Sequence, residues 1–198
     1  MIKLEQVTLI GADCVDPHRL WRVIDWCLEK MDFGQVKLLT HWQIPECPYW
    51  VEIEPINSRA EYSRFCIKHL HEHIDTTHLL IVQHDGYIMD AEMWTDEYLD
   101  YDYIGPLLPI GLVGNGGFSL RTSHLMRLVA EVIDLGEDPK SYDPEDIRIA
   151  GVGDGGYRRK LQSHGIKFAP PELARKFAIN RGAWSGQFGV HGTPLGRS

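Results

Sequence analysis

Residues 78–90, "HLLIVQHDGYIMD", decide how this chain folds. Leu79, Leu80, Ile81 and Val82 are apolar without a break, the pattern of a strand covered on both faces of a parallel sheet. The run stops at Gln83, His84 and Asp85, and Gly86 follows, a residue that turns the chain or lets a ligand approach the backbone closely. In open α/β sheets ligands gather at the carboxyl ends of strands, so Asp85 stands where a substrate or metal is met. The competing reading is an Asx turn between Asp85 and Gly86.

Upstream of this strand the chain alternates. Val7–Ala12 reads as a first strand, and Asp16-Pro17 supplies an N-cap followed by proline at the first helical position. Leu20, Trp21, Ile24, Leu28 and Met31 recur at spacings of three and four, which predicts a helix to about Met31 with one face on a core. Val36–Leu39 reads as a second strand. The Pro-rich, aromatic "THWQIPECPYWVEIEPIN" suggests an ordered excursion without regular structure, and Ser58 with Glu61 spells a capping box opening a helix to about Ile74. Strand, helix, strand, helix, strand implies an α/β fold, Rossmann-type, with a mainly parallel or mixed sheet flanked by helices. After Asp85 the rhythm loosens into short pieces before a helix over Ser123–Ile133. No linker divides the chain, so residues 1–198 are expected to form one domain.

A chain of 198 residues buries roughly 70% of its unfolded surface and needs no staple. The four cysteines, Cys14, Cys27, Cys47 and Cys66, contain no CxxC pair and read as reduced, packed thiols. Charges interrupt every hydrophobic stretch, so no signal-type or membrane-spanning segment is expected and the predicted location is cytoplasmic. A net charge of −8 argues against a general nucleic-acid coat, although Tyr157-Arg158-Arg159-Lys160 is a local basic patch.

Several motifs compete for the chemistry. "GVGDGG", residues 151–156, matches GxGxxG after the strand-like Ile147-Arg148-Ile149, but too little chain follows for a dinucleotide domain. His69 and His73 share a helix face without an identifiable third metal ligand, which favours a solvated face. "VGNGGFSLR", residues 113–121, offers backbone bare of side chains before a strand, either for a bulky ligand or as a plain turn. In "YDPEDIRIAG", residues 142–151, Glu145 and Asp146 either counter a helix N-terminus or aim a general base into a pocket. His191 in "QFGVHG" lies between small residues.

In this order, "VQHDGYI", "YDYIGPLL", "VGNGGFSLR", "PEDIRI", "GIKFAPPELARKFA" and "FGVHG" resemble the motif series of the DUF5672 family of predicted glycosyltransferases, over roughly Ile81 to Gly192. The resemblance implies a GT-A nucleotide-sugar domain that moves a sugar from a nucleotide-sugar donor, a UDP-sugar, to an acceptor hydroxyl. The strand-end acidic motif of that fold is Asp-x-Asp on a divalent cation. Here it reads Gln83-His84-Asp85, so Asp85 with His191 would hold Mn²⁺ or Mg²⁺. "GGFSLR" and "PEDIRI" look like the Gly-Gly and Glu-Asp motifs of inverting transferases, which implies Asp146 as base, with Glu145 as substitute, and Gly116 and Gly117 lining the donor sugar. The resemblance further implies Gly11, Ala12 and Asp13 beneath the nucleotide base, His84 beside the donor, and Trp184 closing over it. The acceptor stays open among a glycan, a protein and a modified DNA base. The alternatives are a metal-dependent hydrolase or nucleotidyltransferase on a diphosphate bond, and a nucleotide-sugar-binding domain without catalysis.

Overall fold

A computed structural model of the chain describes residues 1–136, 144–151 and 156–193. In chain order the elements are β1 (Ile2–Ala12), α1 (Pro17–Leu28), β2 (Met31–Thr40), β3 (Trp50–Glu52), α2 (Arg59–Lys68), β4 (His78–Ile81), β5 (Gly86–Ile88), β6 (Tyr103–Ile104), β7 (Ser119–Thr122), α3 (Ser123–Val132), α4 (Glu145–Ala150), α5 (Arg158–Ser163), α6 (Pro171–Phe177), β8 (Ala178–Asn180) and β9 (Gly189–His191). One sheet runs β3-β2-β1-β4-β7-β6 and a second, smaller one runs β5-β9-β8.

The first four strands of the large sheet are mutually parallel, whereas β7 runs antiparallel to β4 and to β6. The sheet is therefore mixed, and its helices flank it on both faces. Period-two alternation explains the unbroken apolar runs. Leu9, Leu38 and Leu80 point to one face, where α1 supplies Leu20, Val23, Ile24 and Cys27. Ile10, Leu39, Leu79 and Ile81 point to the other, against Cys66, Leu70 and Met126. Each such fully enclosed aliphatic side chain contributes on the order of 1.5–3 kcal/mol.

Local signals set the helix starts. The Asp16 side chain accepts the Arg19 N–H ahead of Pro17, and Ser58 Oγ accepts the Glu61 N–H at 3.1 Å. The helix expected to reach Ile74 ends at Lys68 instead and continues as a separate 3₁₀ turn over Leu70–His73. The Pro-rich excursion contains β3, an edge strand beside β2.

Ile147-Arg148-Ile149 is not a strand but the middle of α4. Pro144 precedes the first turn, which carries Glu145 and Asp146, and acidic groups there complement the partial positive charge of a helix start. The GxGxxG match thus follows a helix, which removes its dinucleotide-binding context. Residues 152–155 of that motif lie outside the described residues. Within Tyr157–Lys160, Arg158 is buried, gives Nη1–H to Val113 O at 2.7 Å and lies over the Phe168 ring, so it serves packing and not a phosphate surface. Among the described residues no helix is long and apolar enough to cross a membrane.

Candidate functional site

Where β4 ends, Gln83 and Gly86 close a tight turn through two backbone hydrogen bonds, and the chain re-enters as β5. This turn lifts His84 and Asp85 out at the carboxyl edge of the large sheet. The small sheet then brings the chain's far end back. In register, Gly86 faces His191 on β9, and His191 faces Asn180 on β8. The Asp85 carbonyl receives the Gly192 N–H at 2.8 Å, which pins the two segments together.

The side chains meet as the backbone dictates. His191 Nε2 stands 3.7 Å from Asp85 Oδ1, and His84 Nδ1 is 4.0 Å from the same oxygen. Asp85 Oδ1 is buried with no hydrogen-bond partner among the described residues. His191 Nδ1 is 3.1 Å from Asn180 Oδ1, so Nδ1–H donates there and the Nε2 lone pair turns toward Asp85. Burial holds the imidazole below its usual range, against the pull of Asp85. Two electron-pair donors thus face each other across a gap, an arrangement that a cation satisfies. Among the described residues no group of three or more His, Cys, Asp or Glu side chains is placed to hold a metal.

Glycines adjoin this pair for want of room. A Cβ on Gly117 would lie 2.0 Å from His191 Nε2 and 2.8 Å from Gln83 Oε1, and one on Gly86 would lie 2.4 Å from the Gly117 carbonyl oxygen. A Cβ on Gly116 would strike Glu145 Oε1 at 2.2 Å. Gly116 N–H donates to Asp146 Oδ2 at 3.1 Å, and Ile147 N–H donates to Asp146 Oδ1 at 2.8 Å. The dipeptide Gly116-Gly117 therefore separates Asp146 on one side from Asp85 and His191 on the other.

The two adjacent acids of α4 differ. Glu145 is buried and accepts Arg121 Nη2–H at 2.8 Å, so its charge is committed to an internal ion pair. Asp146 has no salt-bridge partner among the described residues; burial first, and the neighbouring Glu145 charge second, push its carboxyl up to about 6, against the pull of Arg121. A carboxylate poised near neutrality on a half-buried residue suits proton abstraction. Arg121, which composition and spacing did not single out, is fully enclosed, gives Nε–H to Ser119 Oγ at 3.0 Å and lies over the Tyr103 ring.

The model of DUF5672, described as a protein of unknown function, matches residues 50–197. The chain belongs to the DUF5672 family. No curated protein matches it. The family match covers β3 through β9, and with them Asp85, Gly116, Gly117, Glu145, Asp146 and His191.

The remaining expected residues divide. Ala12, Asp13, Gln83 and His84, with Arg19, Leu20 and Tyr62, line a cleft of about 160 Å³ at the ends of β1 and β4. Asp13 also accepts the Val15 and Asp16 N–H groups and Arg19 Nε–H, so its carboxylate shapes the loop before α1. Gly11 lies under the Val82 carbonyl, where a Cβ would come within 2.7 Å, and serves strand packing. Gln83 gives Nε2–H to Tyr62 OH at 3.0 Å, which leaves a neutral amide oxygen where a carboxylate was looked for. Trp184 is largely exposed and donates to Gln187 O at 2.8 Å within its own loop. A cavity of about 600 Å³ opens elsewhere, among Phe65, His69, His73 and Glu52 to Pro55. Its His69–Glu72 pair is more than half exposed on both sides, so volume and buried chemistry do not coincide. His69 and His73 do both line it, each with its ring near that of Phe65.

Proposed function

We propose that this DUF5672 chain is a metal-assisted glycosyltransferase that moves a sugar from a nucleotide-sugar donor, with UDP as the carrier, to an acceptor hydroxyl with inversion at the anomeric carbon. The observation that carries this reading is the placement of Asp146 and the Asp85–His191 pair on opposite sides of Gly116-Gly117. Direct displacement needs a base on the acceptor side and charge compensation on the leaving-group side. The bare backbone of Gly116-Gly117 lets the two sides approach closely.

Asp85 Oδ1 and His191 Nε2 fit a divalent cation, because the oxygen is buried and unpartnered and the nitrogen lone pair faces it. The imidazole favours Mn²⁺ over Mg²⁺. When bound, the ion would offset the negative charge that develops on the departing nucleoside diphosphate. Asp146 accepts the acceptor's proton, and its two backbone N–H donors hold the carboxylate in place. Glu145, committed to Arg121, acts through its charge on Asp146 and does not take the proton itself. The cleft at Ala12, Asp13 and His84 would receive the nucleotide end of the donor. Cytoplasmic action on a glycan, a protein or a modified DNA base belongs to the same proposal.

Incubation with a panel of nucleotide sugars and acceptors, with and without Mn²⁺, tests it. Release of nucleoside diphosphate supports transfer. Nucleoside monophosphate would instead indicate cleavage inside the diphosphate, the chemistry of a hydrolase or nucleotidyltransferase. Glutamine at position 83, where the acidic motif would carry its first aspartate, favours as a second reading a domain that binds nucleotide sugars without catalysis; tight binding without turnover would establish that one.

A further inference from the structure

Arg181 directly follows β8 and has φ of +51°, the positive-φ residue other than glycine among the described residues. An arginine in this region carries a steric cost that glycine avoids. The residue is nevertheless held there. Its N–H donates to the His191 carbonyl at 2.9 Å, and its side chain lies against Gly192, where a Cβ would come within 2.5 Å of Arg181 Cγ and 3.5 Å of Nε. Gly192 in turn donates to Asp85 O. The strained backbone thus folds the arginine stem across the same two residues that frame the candidate metal pair.

The guanidinium at the end of that stem is exposed and has no ion-pair or hydrogen-bond partner among the described residues. Its charge reaches the His191 ring. Elsewhere in the site the other arginines are spent, Arg121 on Glu145 and Arg19 on Asp13. A free planar cation whose charge acts on His191, the neighbour of a buried, unpartnered carboxylate oxygen, suits a ligand that is itself multiply anionic and bridges the two through a metal. Guanidinium recognises phosphoryl oxygens bidentately, which a lysine cannot reproduce.

We propose that Arg181 is a diphosphate-binding residue whose guanidinium takes the non-bridging oxygens of a diphosphate-bearing ligand seated at Asp85 and His191. Its identity as a donor diphosphate rests on the function proposed above; binding of a diphosphate group as such does not. The strain at Arg181 is retained because glycine, which fits the backbone better, carries no charge to the site.

Inorganic pyrophosphate is the probe, titrated calorimetrically into the full chain with Mn²⁺ for the unmodified protein, Arg181→Gly and Arg181→Lys, with a parallel titration of UDP and a thermal melt of each free protein. Arg181→Gly should melt at or above the unmodified chain and bind pyrophosphate roughly 10- to 100-fold more weakly, the worth of a charge-assisted pair of hydrogen bonds. Arg181→Lys should recover part of that loss. Equal pyrophosphate affinity in Arg181→Gly overturns the proposal, and if the unmodified chain still transfers sugar, the glycosyltransferase reading survives it. A markedly lower melting temperature for Arg181→Gly assigns the residue to structure and also overturns it. Arg181-dependent pyrophosphate binding without UDP binding upholds the residue's role and removes the donor reading. Failure of the unmodified chain to bind either probe overturns both.

Discussion

Arg121 and Glu145 form an ion pair at 2.8 Å, with the guanidinium fully enclosed and the carboxylate nearly so. Removing one member of a buried pair strands the other charge in a poorly polarisable interior, at a cost of about 3–5 kcal/mol. Arg121→Met keeps most of the volume and should therefore lower stability by about that amount in urea denaturation. Adding Glu145→Leu to the same variant should recover much of it, because no uncompensated charge is left. A cost for Arg121→Met alone within about 0.5 kcal/mol, the range of an ordinary surface change, would show that the pair carries little of the fold.

The metal assignment predicts an ordered pair of losses. Asp85→Ala removes the buried oxygen and should abolish Mn²⁺-dependent UDP binding, whereas His191→Ala removes one neutral ligand and should weaken it less. Calorimetry with and without chelator reads both. UDP and Mn²⁺ binding at unmodified strength in both variants would remove the metal site from the protein.

Gly117→Ala tests the packing of that site. Gly117 is not among the positive-φ glycines, so alanine suits the backbone, but its Cβ would fall 2.0 Å from His191 Nε2. The ring must swing away from Asp85. Metal-dependent UDP affinity should fall about tenfold, the usual scale for misorienting a ligand, while the melting temperature changes little. Unchanged affinity would mean that His191 does not act through Nε2.

Much of the scaffold was legible because its signals are local. The Asp16-Pro17 and Ser58 caps and the four-residue apolar run state their own structure. Ile147–Ile149 misled because a three-residue apolar alternation carries no period, and the acids and proline before it were the better guide. The meeting of Asp85 with His191 depends on pairing of β5 with β9 across about half the chain, which no window of sequence contains; only the family-like motif order brought the two together. Arg121 was missed for the same reason, since a strand arginine reads as solvent-facing until Glu145 and Tyr103 are known to close over it.

Stability should depend on pH through Asp146. Its folded carboxyl titrates at about 6, above the ordinary value of 3.8 taken for the unfolded chain. Between these values the folded protein keeps a proton that the unfolded chain releases, so this group's contribution is fully present below the unfolded value and is lost as pH rises through about 6. The loss is on the order of 2–3 kcal/mol, from 1.36 kcal/mol per pH unit. Urea denaturation at about pH 4 and about pH 7 should reveal it, and Asp146→Asn should remove that component of the slope. Glu145→Gln, which deletes the like charge, should shift the transition downward. A slope unaltered by Asp146→Asn would place the titration elsewhere.

The same carboxyl sets the expected chemistry. A base that ionises near 6 abstracts a proton effectively at neutral pH, so transfer should rise through that pH and then level off. Asp146→Asn preserves side-chain size and an acceptor for Gly116 N–H, yet it has no basicity. The variant should fold, bind UDP and Mn²⁺ with near-normal affinity, and lose transfer by about 10²- to 10⁴-fold. That pattern is the reverse of Asp85→Ala, which fails at donor binding first. Near-normal turnover in Asp146→Asn together with collapse in Glu145→Gln would move the base one residue back, although Glu145 would then have to leave Arg121 to act. Full activity in both variants would eliminate a carboxylate base on α4. A product that keeps the donor's anomeric configuration would refute single displacement even in an active transferase, because one in-line attack inverts the centre that it strikes.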